Sequence, residues 1–118
     1  MIIRTGILGN RAEKLAKQFL KKNGLKLLEK NYRSRFGEID IVMQHKDYIV
    51  FVEVRHRKSN TFGGALESVD KHKQKKLRNT AELYLTQHKR NDNPCRFDII
   101  CVNGDINNPE VDWIQNAF

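Results

Sequence analysis

Cysteine is scarce in this chain. There are two, Cys95 and Cys101, among 118 residues. Their spacing matches neither a metal knuckle nor a redox pair. Along one extended segment it also keeps the two sulfurs too far apart for a disulfide. The four histidines, His45, His56, His72 and His88, show no ligand-like grouping, which argues against a zinc site. No apolar run approaches the roughly 20 residues needed to cross a bilayer. The opening stretch, Met1-Ile2-Ile3-Arg4-Thr5-Gly6-Ile7-Leu8, lacks the apolar region and cleavage site of a signal peptide. A cytoplasmic protein without a membrane association is expected. Acidic side chains are also short: 14 against 22 Lys and Arg, for a formal charge of +8. That excess points to a polyanionic partner, nucleic acid first and an anionic membrane surface second. No repeat, linker or low-complexity segment interrupts the chain. Its length suits one domain, residues 1–118, with a real core.

What is present reads as alternating helix and strand. Leu8, Ala12, Leu15, Ala16, Phe19 and Leu20 recur at helical spacing, which predicts an amphipathic helix over 8–22. Asn23-Gly24 ends it, because Gly takes positive φ at little cost. A less regular strand over 25–36 follows, with Leu25, Leu27 and Leu28 entering the core. Gly37-Glu38-Ile39-Asp40-Ile41-Val42 and Tyr48-Ile49-Val50-Phe51-Val52-Glu53-Val54-Arg55 are both rich in β-branched and aromatic residues. They read as two strands joined by a hairpin at Lys46-Asp47. A polar, glycine-bearing loop over 56–64 contains Phe62-Gly63-Gly64, a turn or a loop closing over substrate. A second helix over 70–88 carries Leu77, Ala81, Tyr84, Leu85 and His88 on one face. Arg96-Phe97-Asp98-Ile99-Ile100-Cys101-Val102 reads as a strand buried on both sides. A tail, residues 111–118, ends on Phe118, which is expected to pack. The fold class is therefore α/β: one domain with an αβββαβ core and a mixed β-sheet flanked by helices.

The hairpin holds the candidate chemistry. With a two-residue loop, His45 pairs with Tyr48, Val42 faces Phe51, Asp40 faces Glu53 and Glu38 faces Arg55. Ile39, Ile41 and Met43 then share an apolar face with Val50, Val52 and Val54. Like charges directly opposite each other destabilise a sheet, so Asp40 against Glu53 is a local cost. A divalent cation between them removes it. Mg²⁺ typically takes one or two carboxylates together with substrate phosphate, and Glu13 or Glu38 could add a further oxygen. The plainer alternative is a solvated strand face on which Arg55 and the later lysines neutralise the acids without any metal. Asp98, which interrupts an apolar strand, is expected to be held structurally by Arg96 or a backbone amide. Glu13 could simply pair with Arg4 or Lys17. Trp113 and Tyr32 could stack on bases or belong to the core.

Cations surround this segment. Arg55, Arg57 and Lys58 follow the second hairpin strand. Lys71, Lys73, Lys75, Lys76 and Arg78 crowd the start of the second helix, where the helix dipole also favours an anion. Such clusters grip backbone phosphate and carry little sequence information. The alternative for the helix is an ordinary solvated face.

The residues Gly9 through Glu13 with Ala16, Asn31-Tyr32-Arg33, Gly37-Glu38-Ile39-Asp40, Phe51-Val52-Glu53-Val54-Arg55 with Arg57, Lys73, Ala81, Tyr84-Leu85, Arg96-Phe97-Asp98 and Asn116-Ala117-Phe118 carry a resemblance spanning nearly the whole chain. In this order they resemble the restriction-endonuclease-like superfamily, whose signature is written PD-(D/E)xK. The closer resemblance is to the small bacterial YraN-type family of predicted endonucleases. It implies a restriction-endonuclease-like fold, metal binding by Asp40 and Glu53, Arg55 at the signature's lysine position, and Glu13 as an extra acid from the first helix. The arginine is a departure. A lysine whose pKa is lowered can help deprotonate water, whereas a guanidinium stays charged and can only hold water or phosphate.

The expected function is Mg²⁺- or Mn²⁺-dependent hydrolysis of nucleic-acid phosphodiester bonds, with branched or double-stranded DNA as the target. The catalytic set is Asp40, Glu53, Arg55 and Glu13. A homodimer would suit two-strand cleavage. The alternative is a non-catalytic nucleic-acid-binding protein of the same fold. A third, weaker option is a docking partner for ribonucleoprotein or DNA-processing assemblies.

Overall fold

In a computed structural model, the structure describes residues 7–57 and 68–118. Lys58, Phe62-Gly63-Gly64 and Arg4 lie outside the described residues. The elements in chain order are α1 (Ile7–Lys22), β1 (Lys26–Arg33), β2 (Glu38–His45), β3 (Tyr48–Arg57), α2 (Lys71–Gln87), β4 (Cys95–Asn103) and β5 (Glu110–Ile114). The five strands form one sheet in the order β1-β2-β3-β4-β5. All neighbours are antiparallel except β3 and β4, which are parallel and connected through α2. The single parallel pair makes the sheet mixed, as the alternation of elements predicted. The fifth strand was not expected. The terminal segment reads as a tail because it is short and polar at every second position, yet Glu110–Ile114 pairs with Asn103–Ile99 and closes the sheet edge.

Each helix covers one face. Ala12, Ala16 and Leu20 of α1 pack against Ile41, Met43, Val50, Val52, Val54, Ile100 and Val102. Leu77, Ala81, Tyr84 and Leu85 of α2 pack against Val42, Ile49, Phe51, Phe97, Ile99 and Cys101 on the opposite face. The alternation along β3 and β4 follows directly: odd-numbered residues of both strands face α2 and even-numbered apolar residues face α1. Residues of both faces are fully buried, so β3 and β4 read as continuous apolar runs.

Local chemistry sets the helix ends. Gly24 takes φ 92° after α1, and two hydrogen bonds close the turn: Leu25 N to Leu20 O at 3.0 Å and Gly24 N to Lys21 O at 3.1 Å. This is a Schellman arrangement, with buried Leu25 and Leu20 supplying its apolar contact. At α2 the Asp70 carboxylate accepts a hydrogen bond from Lys73 N at 2.8 Å, so an aspartate caps that helix N-terminus.

The hairpin departs from its expected register at one end. His45↔Tyr48 through Ile41↔Val52 pair as predicted, with Lys46 in the left-handed region at the turn. The ladder stops there. The expected pairs Asp40 with Glu53 and Glu38 with Arg55 are not among the registered rungs. Asp40 instead turns its carboxylate to accept a hydrogen bond from Val54 N at 2.8 Å, replacing a main-chain rung with a side-chain one. Glu38 pairs across β1 with Arg33, Nε to Oε2 at 3.2 Å. Ile39 also changes sides: it packs in the α2-face cluster with Tyr32, not with Ile41 and Met43. The break in alternation at Asp40 is matched on β1, where Asn31 takes φ 52° between the pairs Lys30↔Ile41 and Tyr32↔Ile39.

Candidate metal and phosphate site

β3 lies at the centre of the sheet and positions the site. Glu53 follows Phe51 and Val52 in a strand whose odd residues face α2, so its carboxylate emerges beneath that helix. It is 2% exposed. Two cations meet it there. Arg55, two residues on and therefore on the same face, brings a guanidinium nitrogen to 3.3 Å from Glu53 Oε2. Lys73, from the first turn of α2, brings Nζ to 3.3 Å from the same oxygen. Arg55 also donates to Ser68 O at 3.1 Å, which ties the segment before α2 to β3. The Arg55 and Lys73 side chains are 28% and 32% exposed, so each spans from the buried carboxylate to solvent.

Asp40 is fully buried, and its bond to Val54 N holds it one peptide unit from Glu53. The fold thus brings together Asp40, Glu53, Arg55 and Lys73 from two strands and a helix. Glu38 is held by Arg33, on the β1 side of β2. Glu13 lines a pocket between α1 and β1 together with Lys17 and Ile41. Among the described residues, no group of three or more His, Cys, Asp or Glu side chains could hold a metal ion. Of the four acids expected from the sequence, Asp40 lies against the Val54 amide next to Glu53, Glu38 is engaged by Arg33, and Glu13 lines the α1–β1 pocket beside Ile41.

The pair Asp40 and Glu53 fits a hard divalent cation by its donor chemistry, since Mg²⁺ sites commonly use one or two carboxylates and complete their shell with water and phosphate oxygens. The cations equally well balance Glu53 alone. Of the expected phosphate contacts, Lys71, Lys75 and Lys76 are exposed on α2 and Arg57 is half-buried at the end of β3. The helix N-terminus itself is serviced by Asp70, a carboxylate where the dipole argument had placed a phosphate.

The aromatic candidates are structural. Tyr32 is buried, stacks edge-on to Tyr84 and donates its hydroxyl to Gln87 Oε1. Trp113 donates Nε1 to Asp98 Oδ2 at 2.9 Å and packs edge-on against Phe19. Asp98 is fully buried, and Arg96 Nε reaches both its oxygens, at 3.1 and 3.3 Å, while Asn116 N donates at 3.0 Å. Both partners expected for Asp98 are present, Arg96 and a backbone amide. The indole is the one that sequence reasoning missed. Cys101 is buried, and burial pushes its thiol pKa up, so it is a poor nucleophile. No described helix is long and apolar enough to cross a membrane.

Comparison with known proteins places the chain in a family. Residues 12–102 match the description "Uncharacterised protein family UPF0102". The chain belongs to this family. A UPF0102 protein of Nitrosomonas europaea is 52% identical over 110 residues, covering 93% of this chain and 92% of the relative. One from Nitrosomonas eutropha is 53% identical over 110 residues, covering 93% and 91%. One from Colwellia psychrerythraea is 45% identical over 112 residues, covering 93% and 87%. The matched segment of this UPF0102 chain contains Glu13, Asp40, Glu53, Arg55 and Lys73, and so every member of the buried cluster.

Proposed function

We propose that this UPF0102 chain is a metal-dependent endonuclease of the restriction-endonuclease-like type, hydrolysing phosphodiester bonds in branched or double-stranded DNA. The observation that carries the reading is the buried pair Asp40 and Glu53, with two cations on Glu53 that reach outward to solvent. Burying two carboxylates is costly unless each has compensating partners. A sheet centre that tolerates them beside a solvent-facing guanidinium and ammonium has the composition of a phosphate-processing site.

In this reading Asp40 and Glu53 hold Mg²⁺ or Mn²⁺, which when bound supplies an acidified water and charge stabilisation at the phosphate. Asp40 is oriented by Val54 N and cannot swing away without breaking that bond. Glu53 is oriented by Arg55 and Lys73. Arg55 offers planar, permanently charged donors to a non-bridging phosphate oxygen and holds negative charge as it develops. Lys73 delivers an ammonium from α2 to the same carboxylate, so the lysine absent from the signature position is supplied from a different element. Lys71, Lys75 and Lys76 extend the positive surface along α2 for the flanking backbone.

The test is cleavage of plasmid, branched, single-stranded DNA and RNA under Mg²⁺ and Mn²⁺ titration. Asp40→Asn keeps an oxygen acceptor for Val54 N and removes the charge. It is expected to reduce cleavage to background while retaining DNA binding. A second reading, a non-catalytic nucleic-acid-binding protein, is favoured by the neutralisation of Glu53 by Arg55 and Lys73 without a metal. Absence of cleavage on every substrate, with no metal binding by calorimetry, establishes that reading and overturns the nuclease.

A further inference from the structure

A pocket of about 350 Å³ lies on the other side of the sheet edge from α2, between α1 and the edge strand β1. Asn10, Glu13, Lys14 and Lys17 line it from α1, Lys30 and Asn31 from β1, and Ile41 forms its floor. Three lysines, one glutamate and two asparagines thus supply its polar lining. The left-handed Asn31 and the break at Asp40 shape this end of β1, because Asn31 lies across from Asp40 between the two registered pairs flanking it. The pocket therefore adjoins the metal-site strand through Ile41, one residue from Asp40, while opening on the α1 side.

We propose that this α1–β1 pocket is a second phosphate-binding site, gripping the backbone of a nucleic-acid strand with Lys14, Lys17 and Lys30 while α2 grips it from the opposite face. The inference rests on nucleic acid being the ligand and does not require cleavage. Its lining carries three lysines on one small concavity, and Lys17 has its pKa lowered, first by burial and then by the charges of Lys30, Lys21 and Lys14. With one glutamate against three lysines, the pocket keeps an excess of positive charge that a phosphate complements. Asn10 and Asn31 suit phosphate and sugar oxygens, contacts that position a strand without reading its sequence. The two lysine-rich surfaces, one on each face of the sheet, then flank the part of β2 at which its ladder with β3 ends.

The experiment measures anisotropy of labelled duplex and single-stranded DNA in EDTA, so that cleavage plays no part, across a salt series. The α1-side variant is Lys14→Gln/Lys17→Gln/Lys30→Gln. It is expected to weaken binding about tenfold or more and to reduce the slope of log K against log salt by about 2–3, from three contacts at roughly 0.7–0.9 each. The corresponding Lys→Arg triple variant should restore both, which separates charge from folding. A wild-type slope and affinity in the Gln variant, while Lys71→Gln/Lys75→Gln/Lys76→Gln lowers both, overturns the pocket and leaves the nucleic-acid reading standing. Saturation of the pocket by inorganic phosphate or a mononucleotide, with no change in the DNA salt slope of the Gln variant, overturns the strand as its ligand. Failure of the wild-type chain to bind any DNA or RNA overturns the proposed function and this inference together.

Discussion

Asp98 and Glu53 sit on neighbouring central strands, one residue out of register with each other, and both are buried. Their surroundings differ in kind. Asp98 is enclosed by directional donors: Arg96 Nε on both oxygens, Trp113 Nε1, and the amide of Asn116. Arg96 is in turn fixed against His45 Nδ1 at 3.1 Å, with its guanidinium over the ring of Tyr48. These partners come from β2, β3, β4, β5 and the chain end, so the node ties the closing strand and the last residues to the sheet. Glu53 instead meets two long cationic side chains, each about a third exposed or less, which reach from the buried carboxylate to solvent. A carboxylate saturated by rigid donors is a structural rivet. Glu53 is balanced by charges that extend to the surface.

The contrast can be broken most sharply at Asp98. Asp98→Ala removes the shared acceptor of three elements and leaves Arg96 facing apolar surroundings. It is expected to destabilise the fold by about 3–5 kcal/mol in urea unfolding, with any loss of DNA binding explained by unfolding alone. Trp113→Phe keeps the ring packed against Phe19 and deletes one donor, for a cost of about 1–3 kcal/mol by the same measurement. Glu53→Gln is expected to change stability by only about 1 kcal/mol or less, because Arg55 and Lys73 can hydrate once released. The same substitution should bring metal-dependent cleavage to background. Lys73→Met leaves the apolar stem and removes the ammonium. Its stability effect should be the smallest of the four, within about 0.5 kcal/mol, while cleavage falls at least about tenfold. A large stability loss in Glu53→Gln, equal to that of Asp98→Ala, would erase the distinction between the two nodes.

Much of the frame is legible in the linear order of residues. The 3–4 spacing of Ala12, Ala16 and Leu20 and of Leu77, Ala81, Tyr84 and Leu85 identifies both helices and the faces they bury. The unbroken apolar runs of β3 and β4 identify the sandwiched centre. Terminal Phe118 packs as expected, its ring 4.9 Å from Phe97. The strand β5 was hidden because Glu110, Asp112 and Asn116 look like loop chemistry until β4 offers hydrogen bonds to pair with. The register error at Asp40 has a similar cause. Pairing rules extrapolate a ladder, and nothing local reveals that a carboxylate will replace a rung.

Composition, charge and periodicity were enough to determine that this chain folds as a mixed α/β sheet under two helices and that its acids and cations cluster along β2, β3 and α2. Those properties are local: they follow from side-chain period, turn chemistry and the sign of the charge. Which cation meets which carboxylate was decided only in three dimensions. Lys73 and Glu53 are twenty positions apart and meet because the crossover from β3 through α2 lays the helix's first turn over the strand's odd face. Glu13 comes beside Ile41 and Asn31 because α1 lies against the sheet face that carries Ile41, which alternation along β2 assigns to that side.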